Sequence, residues 1–423
     1  MDAKTNYYEL SKAKEYQKII DELLPAVRSG NSISAQNLSY LIDALNKVRR
    51  YDESVALGKQ HFADVKNNKY ALNSLCFAVY MSKVQPHMNE KLIPTETAKT
   101  AEWVIEHYPK DPKSFIWVNS LFLCVKFSLA HGDHGKAAAH LSLVKVDQLS
   151  NEVKTINVNG KEVAIKSDRE KYIKYSMETA MAAGKSDLAL QLCEELLKID
   201  PKDVWYQRDK ALVLKNLGRN DDAMALYKEI LKRKTDWFMW HEAAKLALQS
   251  GNRDEAKTFF SRGFGAALSQ SSFYSWHLFV DIAEFLKESG EEETALKQLY
   301  YVYLTALNDD GNRPQEMLKY FHERKIKVPG DLDVQALKNE LRVYHSTNEF
   351  SGEKLTGVIS RINEGGKSGF ISAGDKRYFF MARNFRGKTP KEGTNVTFHV
   401  EKHTNLKTGA EEDQAVGVAV IRG

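Results

Sequence analysis

The stretch WFMWHEAAKLALQSGNRDEAKTFF, Trp237 to Phe260, decides how the first three quarters of the chain is read. Apolar residues recur at spacings of three and four on either side of Gly251, the pattern of two amphipathic helices separated by a glycine turn. Ala256 follows the glycine by five residues and opens the second helix. The same pairing occurs at Gly132 and Ala137, Gly184 and Ala189, Gly218 and Ala223, and Gly290 and Ala295. Gly184 to Gly218 spans 34 residues and Gly218 to Gly251 spans 33, a period that marks a helical repeat. Small residues let two antiparallel helices approach closely, and large ones fill the space between neighbouring pairs.

The period and the register within it resemble the tetratricopeptide repeat. Trp240, Ala244, Ala247, Gly251, Ala256 and Phe260 occupy that family's tryptophan, small, small, glycine, alanine and aromatic positions. Ala211, Tyr227 and Ile230 fit the unit around Gly218, and Pro201 closes the unit before it. The resemblance implies an α-solenoid over about residues 6–308 that presents a surface to a protein partner. Outlying units are degenerate: Leu38, Ile42 and Leu45 precede a turn at Arg50 to Ser54, and Ala71 to Val84 with Thr97 to His107 reads as a pair split by the loop Pro86 to Pro94. Gly251 to Gly290 spans 39 residues, which predicts a longer connection near Phe264 to Phe273. Gly132 to Gly184 spans 52, and the excess falls on TINVNGKEVAI (Thr155 to Ile165), whose alternation about Asn159-Gly160 predicts an inserted β-hairpin. Residues 309–351 read as capping helices, a basic one over Gln315 to Lys327 and another through His345, followed by a flexible joint at STNEFSG (Ser346 to Gly352).

The last seventy or so residues change character. LTGVISRIN (Leu355 to Asn363), KSGFI (Lys367 to Ile371), YFFM (Tyr378 to Met381), KTPKEGTNVTFHVE (Lys388 to Glu401) and AVGVAVI (Ala415 to Ile421) resemble, in order, the strands of a cold-shock domain. The resemblance implies a five-stranded OB barrel over residues 352–423 that binds RNA or single-stranded DNA by stacking bases on exposed aromatics beside a basic groove. Departures are specific. Arg361 and Ile362 replace a tryptophan and an aromatic, Ser368 replaces the first aromatic of the second strand, and Met381 and Ala382 replace a histidine and an aromatic of the third. Phe370 and Phe379 remain for stacking, with Arg361, Lys367, Lys376, Arg377 and Arg383 for phosphates or base faces. Strand alternation puts Ser368 with Phe370, and Arg377 with Phe379 and Met381, on common faces. Two stacked bases supply about 2 to 6 kcal/mol. Lys376 to Lys391 contains six basic residues and no acid, and Glu353 to Gly423 carries twelve basic against eight acidic residues, most of the chain's net +5.

The 423 residues are 43% hydrophobic and 28% charged, enough for two or three domains with buried cores. No secretory leader pattern and no run of about 18 apolar residues is legible, so a cytoplasmic location is expected. Cys76, Cys124 and Cys193 are widely spaced within helical apolar patterns and read as buried thiols, with neither a disulfide framework nor a metal motif. HGDHGK (His131 to Lys136), with His140 beyond it, lacks the spacing of a phosphate loop and the ligand count of a metal site. No cofactor and no catalytic motif is predicted.

On the helical part, Trp205, Arg208, Leu212 and Lys215 share one helical face, and Phe238, His241, Lys245 and Leu248 share another. These make a candidate groove for a partner with an acidic segment. The expected chain is mainly α, a tetratricopeptide-like solenoid followed by a cold-shock-like OB barrel. Its expected role is a non-enzymatic adaptor joining a protein partner to RNA or single-stranded DNA. The competing reading is a pure protein-interaction scaffold whose barrel has lost nucleic-acid binding; a third assigns nucleic-acid binding to the helical groove.

Overall fold

The computed structural model describes residues 6–90, 92–158, 160–350, 353–382, 385–386, 389–404 and 411–421. It is mostly helical, a tetratricopeptide-like array with a closed, mixed, five-stranded β-barrel near its C-terminus. Two compact units, residues 1–217 and 218–423, are described in turn.

In the first unit, helices Tyr16–Arg28, Ala35–Lys47, Tyr51–Gln60, Lys69–Val79, Thr95–His107, Phe115–Ala130, His134–Leu141, Asp168–Ala182, Ser186–Ile199 and Val204–Asn216 follow one another. Side-chain oxygens of Ser34, Asn68, Asp133, Ser167 and Asp203 accept from first-turn amides and fix where their helices start. Phe115–Ala130 is apolar around most of its circumference, and Trp117, Leu121, Phe122 and Val125 are all buried. Strands β1 (Lys154–Val158) and β2 (Lys161–Ile165) pair antiparallel between the helices His134–Leu141 and Asp168–Ala182. Asn159 of the intervening turn lies outside the described residues. Just past β2, Lys166 bonds Asp203 at 2.9 Å and also Tyr206, which anchors the end of the hairpin to helix Val204–Asn216.

The repeating joint has one geometry. Gly132, Gly184, Gly251 and Gly290 have φ between +71° and +80°. The amide one residue later, on Asp133, Lys185, Asn252 and Glu291, donates to the carbonyl five residues back at 2.8–2.9 Å. This is the Schellman closure, and its left-handed residue favours glycine. The alanines five residues on, Ala137, Ala189, Ala223, Ala256 and Ala295, are buried, as are Ala211, Tyr227 and Ile230. Arg49 takes the same turn at φ 62°, with Arg50 N–H bonded to Leu45 C=O at 2.8 Å, so the degenerate unit keeps the joint without the glycine.

The second unit carries helices Asn220–Leu231, Trp237–Gln249, Arg253–Ala267, Ser272–Glu288, Glu292–Thr305, Gln315–Glu323 and Val334–Thr347. Two expectations are corrected. The 39-residue spacing is taken up by lengthened helices of 15 and 17 residues, Arg253–Ala267 and Ser272–Glu288, rather than by a long loop. The basic helix expected through Lys327 stops at Glu323, because Lys325 turns left-handed at φ 54° and Ile326 N–H closes on Phe321 C=O.

Helix Val334–Thr347 packs on Arg253–Ala267 and Glu292–Thr305. Its His345 is buried between them. Nδ1 lies 3.1 Å from Ser261 Oγ, Nε2 lies 3.2 Å from Gln298 Oε1, and the ring stacks on Phe264 at 4.1 Å.

The barrel strands are β3 (Leu355–Ile362), β4 (Ser368–Ala373), β5 (Lys376–Met381), the two-residue β6 (Phe385–Arg386), β7 (Asn395–Thr404) and β8 (Glu411–Val420). Hydrogen bonding runs β5-β4-β3-β7-β8, and a parallel pairing of Phe379 with Gln414 and Phe380 with Ala415 joins β5 to β8 and closes the ring. Ile359, Ile371, Tyr378, Phe380, Val396, Phe398, Ala415 and Val418 fill the interior.

The segment before the barrel is not the free joint expected at Ser346 to Gly352. Phe350 packs against Gly417, where a Cβ would come within 2.5 Å of its ring, and stacks on His399 at 5.7 Å. Arg262 Nε donates to the Glu349 carbonyl at 2.7 Å, and its guanidinium pairs with Glu401 of β7. Gly417 and Arg262 therefore seat this segment by shape and charge. Ser351 and Gly352 lie outside the described residues.

Arg49→Gly is expected to stabilise the protein by about 1 kcal/mol, by relieving a left-handed residue. Urea denaturation measures it, and Gly251→Ala should shift the midpoint the opposite way. A second expectation follows from His345, whose burial pushes its pKa down to about 3. The folded state keeps the ring neutral while the unfolded state takes up a proton near pH 6.5, so stability is full above pH 6.5 and falls as pH drops toward 3. The slope from this group approaches about 1.4 kcal/mol per pH unit, and denaturation midpoints at several pH values should show it flattened in His345→Gln.

Candidate nucleic-acid interface

Register assembles the site. Arg361 of β3 lies opposite Phe370 of β4, Phe370 opposite Phe379 of β5, and Phe379 opposite Gln414 of β8, so one row crosses four neighbouring strands. The row depends on a β-bulge between Ile359 and Arg361: Ile359 points into the core, and the extra residue brings Arg361 out beside Phe370. Gly369 makes the close approach possible, since a Cβ there would lie 2.4 Å from the Arg361 carbonyl oxygen and 2.8 Å from the Phe380 ring.

Phe370 and Phe379 are half-buried and meet edge to face, ring centroids 5.6 Å apart. The guanidinium of Arg377 sits over the Phe370 ring at 5.1 Å. Ser368 faces Met381, and Ser372 faces Arg377, on this same side. Among the described residues, no carboxylate stands within salt-bridge distance of Arg361, Lys367, Lys376 or Arg377. The surface thus combines two aromatic rings with cations left to solvent.

Not every predicted residue joins the row. Lys376 is paired with Ala373 at the end of the β4–β5 hairpin, out of phase with Arg377 and Phe379. Lys367 precedes β4, where its carbonyl accepts from Ala382 N–H at 2.9 Å. Both are exposed at the edges of the platform. Arg383 lies outside the described residues. Gln414, half of the closing pair, was not picked out from sequence, because only the parallel closure of the barrel brings it to Phe379.

The candidate groove residues divide between the two units. In the first, Trp205 is exposed and Arg208 and Lys215 are half-buried on helix Val204–Asn216. In the second, His241 Nε2 lies 2.7 Å and Lys245 Nζ 3.0 Å from the same oxygen of Asp281, on helix Ser272–Glu288, while Phe238 is half-buried. Burial works against a charged Asp281, but the bonds from His241 and Lys245 outweigh it and hold the carboxyl below its usual range. That carboxylate offsets much of the positive charge that sequence assigns to this face.

Chemically reactive groups are few. Burial pushes the thiols of Cys76 and Cys193 up to about 12 and that of Cys124 up as well, so none is a ready nucleophile. His131 Nδ1 is 2.9 Å from the Phe127 carbonyl, one turn back on its own helix. Sequence missed a convergence of His140 with Glu102 and Cys124, residues too far apart in the chain to form a motif.

Residues 180–243 match the Tetratricopeptide repeat family. They contain two of the glycine turns, Gly184 and Gly218, and the first half of helix Trp237–Gln249. Tetratricopeptide-like repeats suggest a protein-interaction scaffold, and proteins built of them are typically non-enzymatic. No curated protein matches the chain. Solved structures similar to it include a tetratricopeptide repeat protein from Parabacteroides merdae, at 12% identity over 59% of this chain and 91% of that one, TM-score 0.29. The human IFIT1 dimer with PPP-AAAA is also 12% identical, over 81% of this chain and 80% of that one, TM-score 0.39. BtubC from P. vanneervenii is 12% identical over 55% of this chain and 94% of that one, TM-score 0.38. The tetratricopeptide-like character of the helical array rests on the family match together with the recurring glycine turn and buried alanine. No described helix is long and apolar enough to cross a membrane.

Proposed function

We propose that the chain is a non-enzymatic adaptor whose barrel, of the cold-shock OB type, binds RNA or single-stranded DNA, and whose helical repeats engage a protein partner. The row Arg361, Phe370, Phe379 with Arg377 over Phe370 carries this reading. Bases stack on aromatic rings at about 1 to 3 kcal/mol each, and guanidinium planes extend the platform while neutralising phosphate. The strand order β3-β4-β5-β8-β7, closed by a parallel pair, supports the OB assignment. Arg361, Ser368 and Met381 stand where the cold-shock pattern has a tryptophan, an aromatic and a histidine, so affinity depends more on charge than in a fully aromatic platform. Lys367 and Lys376 form the basic margin, and Arg383 is assigned to phosphate contact from its sequence alone. Trp205, Arg208 and Lys215, and separately Phe238 with the Asp281-bound His241 and Lys245, are the surfaces for a protein partner. Residues 1–308, 309–351 and 352–423 are the proposed division into repeats, capping helices with connecting segment, and barrel.

One observation favours the rival scaffold reading: Phe370 and Phe379 each cover part of the other, and Arg377 occupies a face of Phe370. Fluorescence anisotropy with labelled oligo(U) and oligo(dT) separates the two. Binding should weaken as salt rises, with a slope of about 0.7 per phosphate contacted. Phe379→Ala should cost about 1 to 3 kcal/mol in affinity while the barrel stays folded. Equal affinity of folded Phe379→Ala and wild type, or no binding at low salt, would sink the proposal in favour of the scaffold.

A further inference from the structure

We propose that Glu102, Cys124 and His140 form a binding site for a divalent transition-metal ion of the zinc class, within the helical array of the first unit. The three donors come from three successive helices, Thr95–His107, Phe115–Ala130 and His134–Leu141, each packed on the next. One sulfur, one imidazole nitrogen and one carboxylate oxygen all lie within 4.8 Å of one another. Zinc is borderline-soft and takes this mixture of thiolate, imidazole and carboxylate, and three protein ligands leave a fourth position open to water. With Zn–S near 2.3 Å and Zn–N near 2.0 Å, donors around a tetrahedral ion stand about 3.3 to 3.8 Å apart, so shifts of about 1 Å close the set.

None of the three side chains is fully claimed by the protein. Cys124 Sγ has a single weak contact, 3.7 Å to the Ala98 carbonyl. His140 Nδ1 is buried and faces the Lys136 backbone one turn back without a well-formed hydrogen bond, while Nε2 lies 3.8 Å from Glu102 Oε1. Glu102 is held by Lys136, whose Nζ is 2.5 Å from Oε1. The Lys136 side chain is 45% exposed, so it can swing into solvent and release the carboxylate. Binding then joins the ion to Sγ, imidazole nitrogen and carboxylate oxygen, sends the Cys124 thiol proton to solvent and returns Lys136 to water. The partly exposed Glu102 and Lys136 lie on the way in, and the buried thiol closes the inner end. An ion there ties three helices together, where the metal-free protein has one weak sulfur contact and a solvent-facing ion pair.

Cobalt(II) titrated into the chelator-stripped full-length protein reads the site directly. The expected result is a near-ultraviolet thiolate-to-cobalt charge-transfer band with visible d–d bands, saturating at one equivalent and displaced by zinc. Cys124→Ser should abolish the charge-transfer band, whereas Cys76→Ser and Cys193→Ser should keep it. Glu102→Gln and His140→Asn replace a donor by a side chain of similar or smaller size, and each should weaken cobalt binding at least about ten-fold with the far-ultraviolet circular dichroism unchanged. Absence of the charge-transfer band in the wild type, or its survival in Cys124→Ser, would overturn the proposal. So would wild-type affinity in both folded variants, Glu102→Gln and His140→Asn, which decide the matter even if Cys124→Ser does not fold.

Discussion

At Arg49, Gly132, Gly184, Gly251 and Gly290 the turn between paired helices depends on one backbone event, a residue in the left-handed region that ends a helix and lets the next amide close on the carbonyl five residues back. That closure sets the angle at which the second helix leaves, and the alanine five residues after the glycine allows the two helices to approach where a larger side chain would hold them apart. The spacing of the whole pattern follows from repeating this joint. Where glycine is missing, as at Arg49, the joint survives at the cost of backbone strain, which shows that packing rather than local preference enforces it.

The barrel answers to a different constraint, closure of a five-strand ring. The parallel contact of β5 with β8 removes the open edges, and the bulge at Arg361 lets β3 curve while keeping Ile359 inside. The outward row of Arg361, Phe370 and Phe379 is a by-product of that geometry: with Gly369 and Ile371 buried, Phe370 between them faces out, as does Phe379 between Tyr378 and Phe380, and the bulge turns Arg361 to the same side. Phe350 and Arg262 then seat the barrel against its own preceding segment, which bears on how freely the barrel reaches a ligand.

The repeats were legible because their joints are written locally, as a glycine and an alanine at fixed distance. The shared face of Ser368 with Phe370 and of Arg377 with Phe379 was legible for a similar reason, since alternation along a strand is a local rule. Other features depend on long-range partners. Nothing in STNEFSG announces that Phe350 finds Gly417 and His399, and nothing near Lys245 announces Asp281. The end of helix Gln315–Glu323 was misread because Lys325 has no glycine to mark its left-handed turn. The Glu102, Cys124 and His140 cluster escaped sequence for the same reason as Gln414: its members meet only when separate elements pack.

The proposed function requires a nucleic acid to lie on the outer face of β4 and β5. Photo-crosslinking of a single-stranded oligonucleotide carrying 4-thiouridine to the full-length protein, with the attachment sites located by mass spectrometry, tests this most directly. Adducts on the peptides containing Phe370 and Phe379, lost on competition with unlabelled oligonucleotide, are the predicted result. Competed adducts confined to the helical repeats, or no competed adduct anywhere, would contradict it.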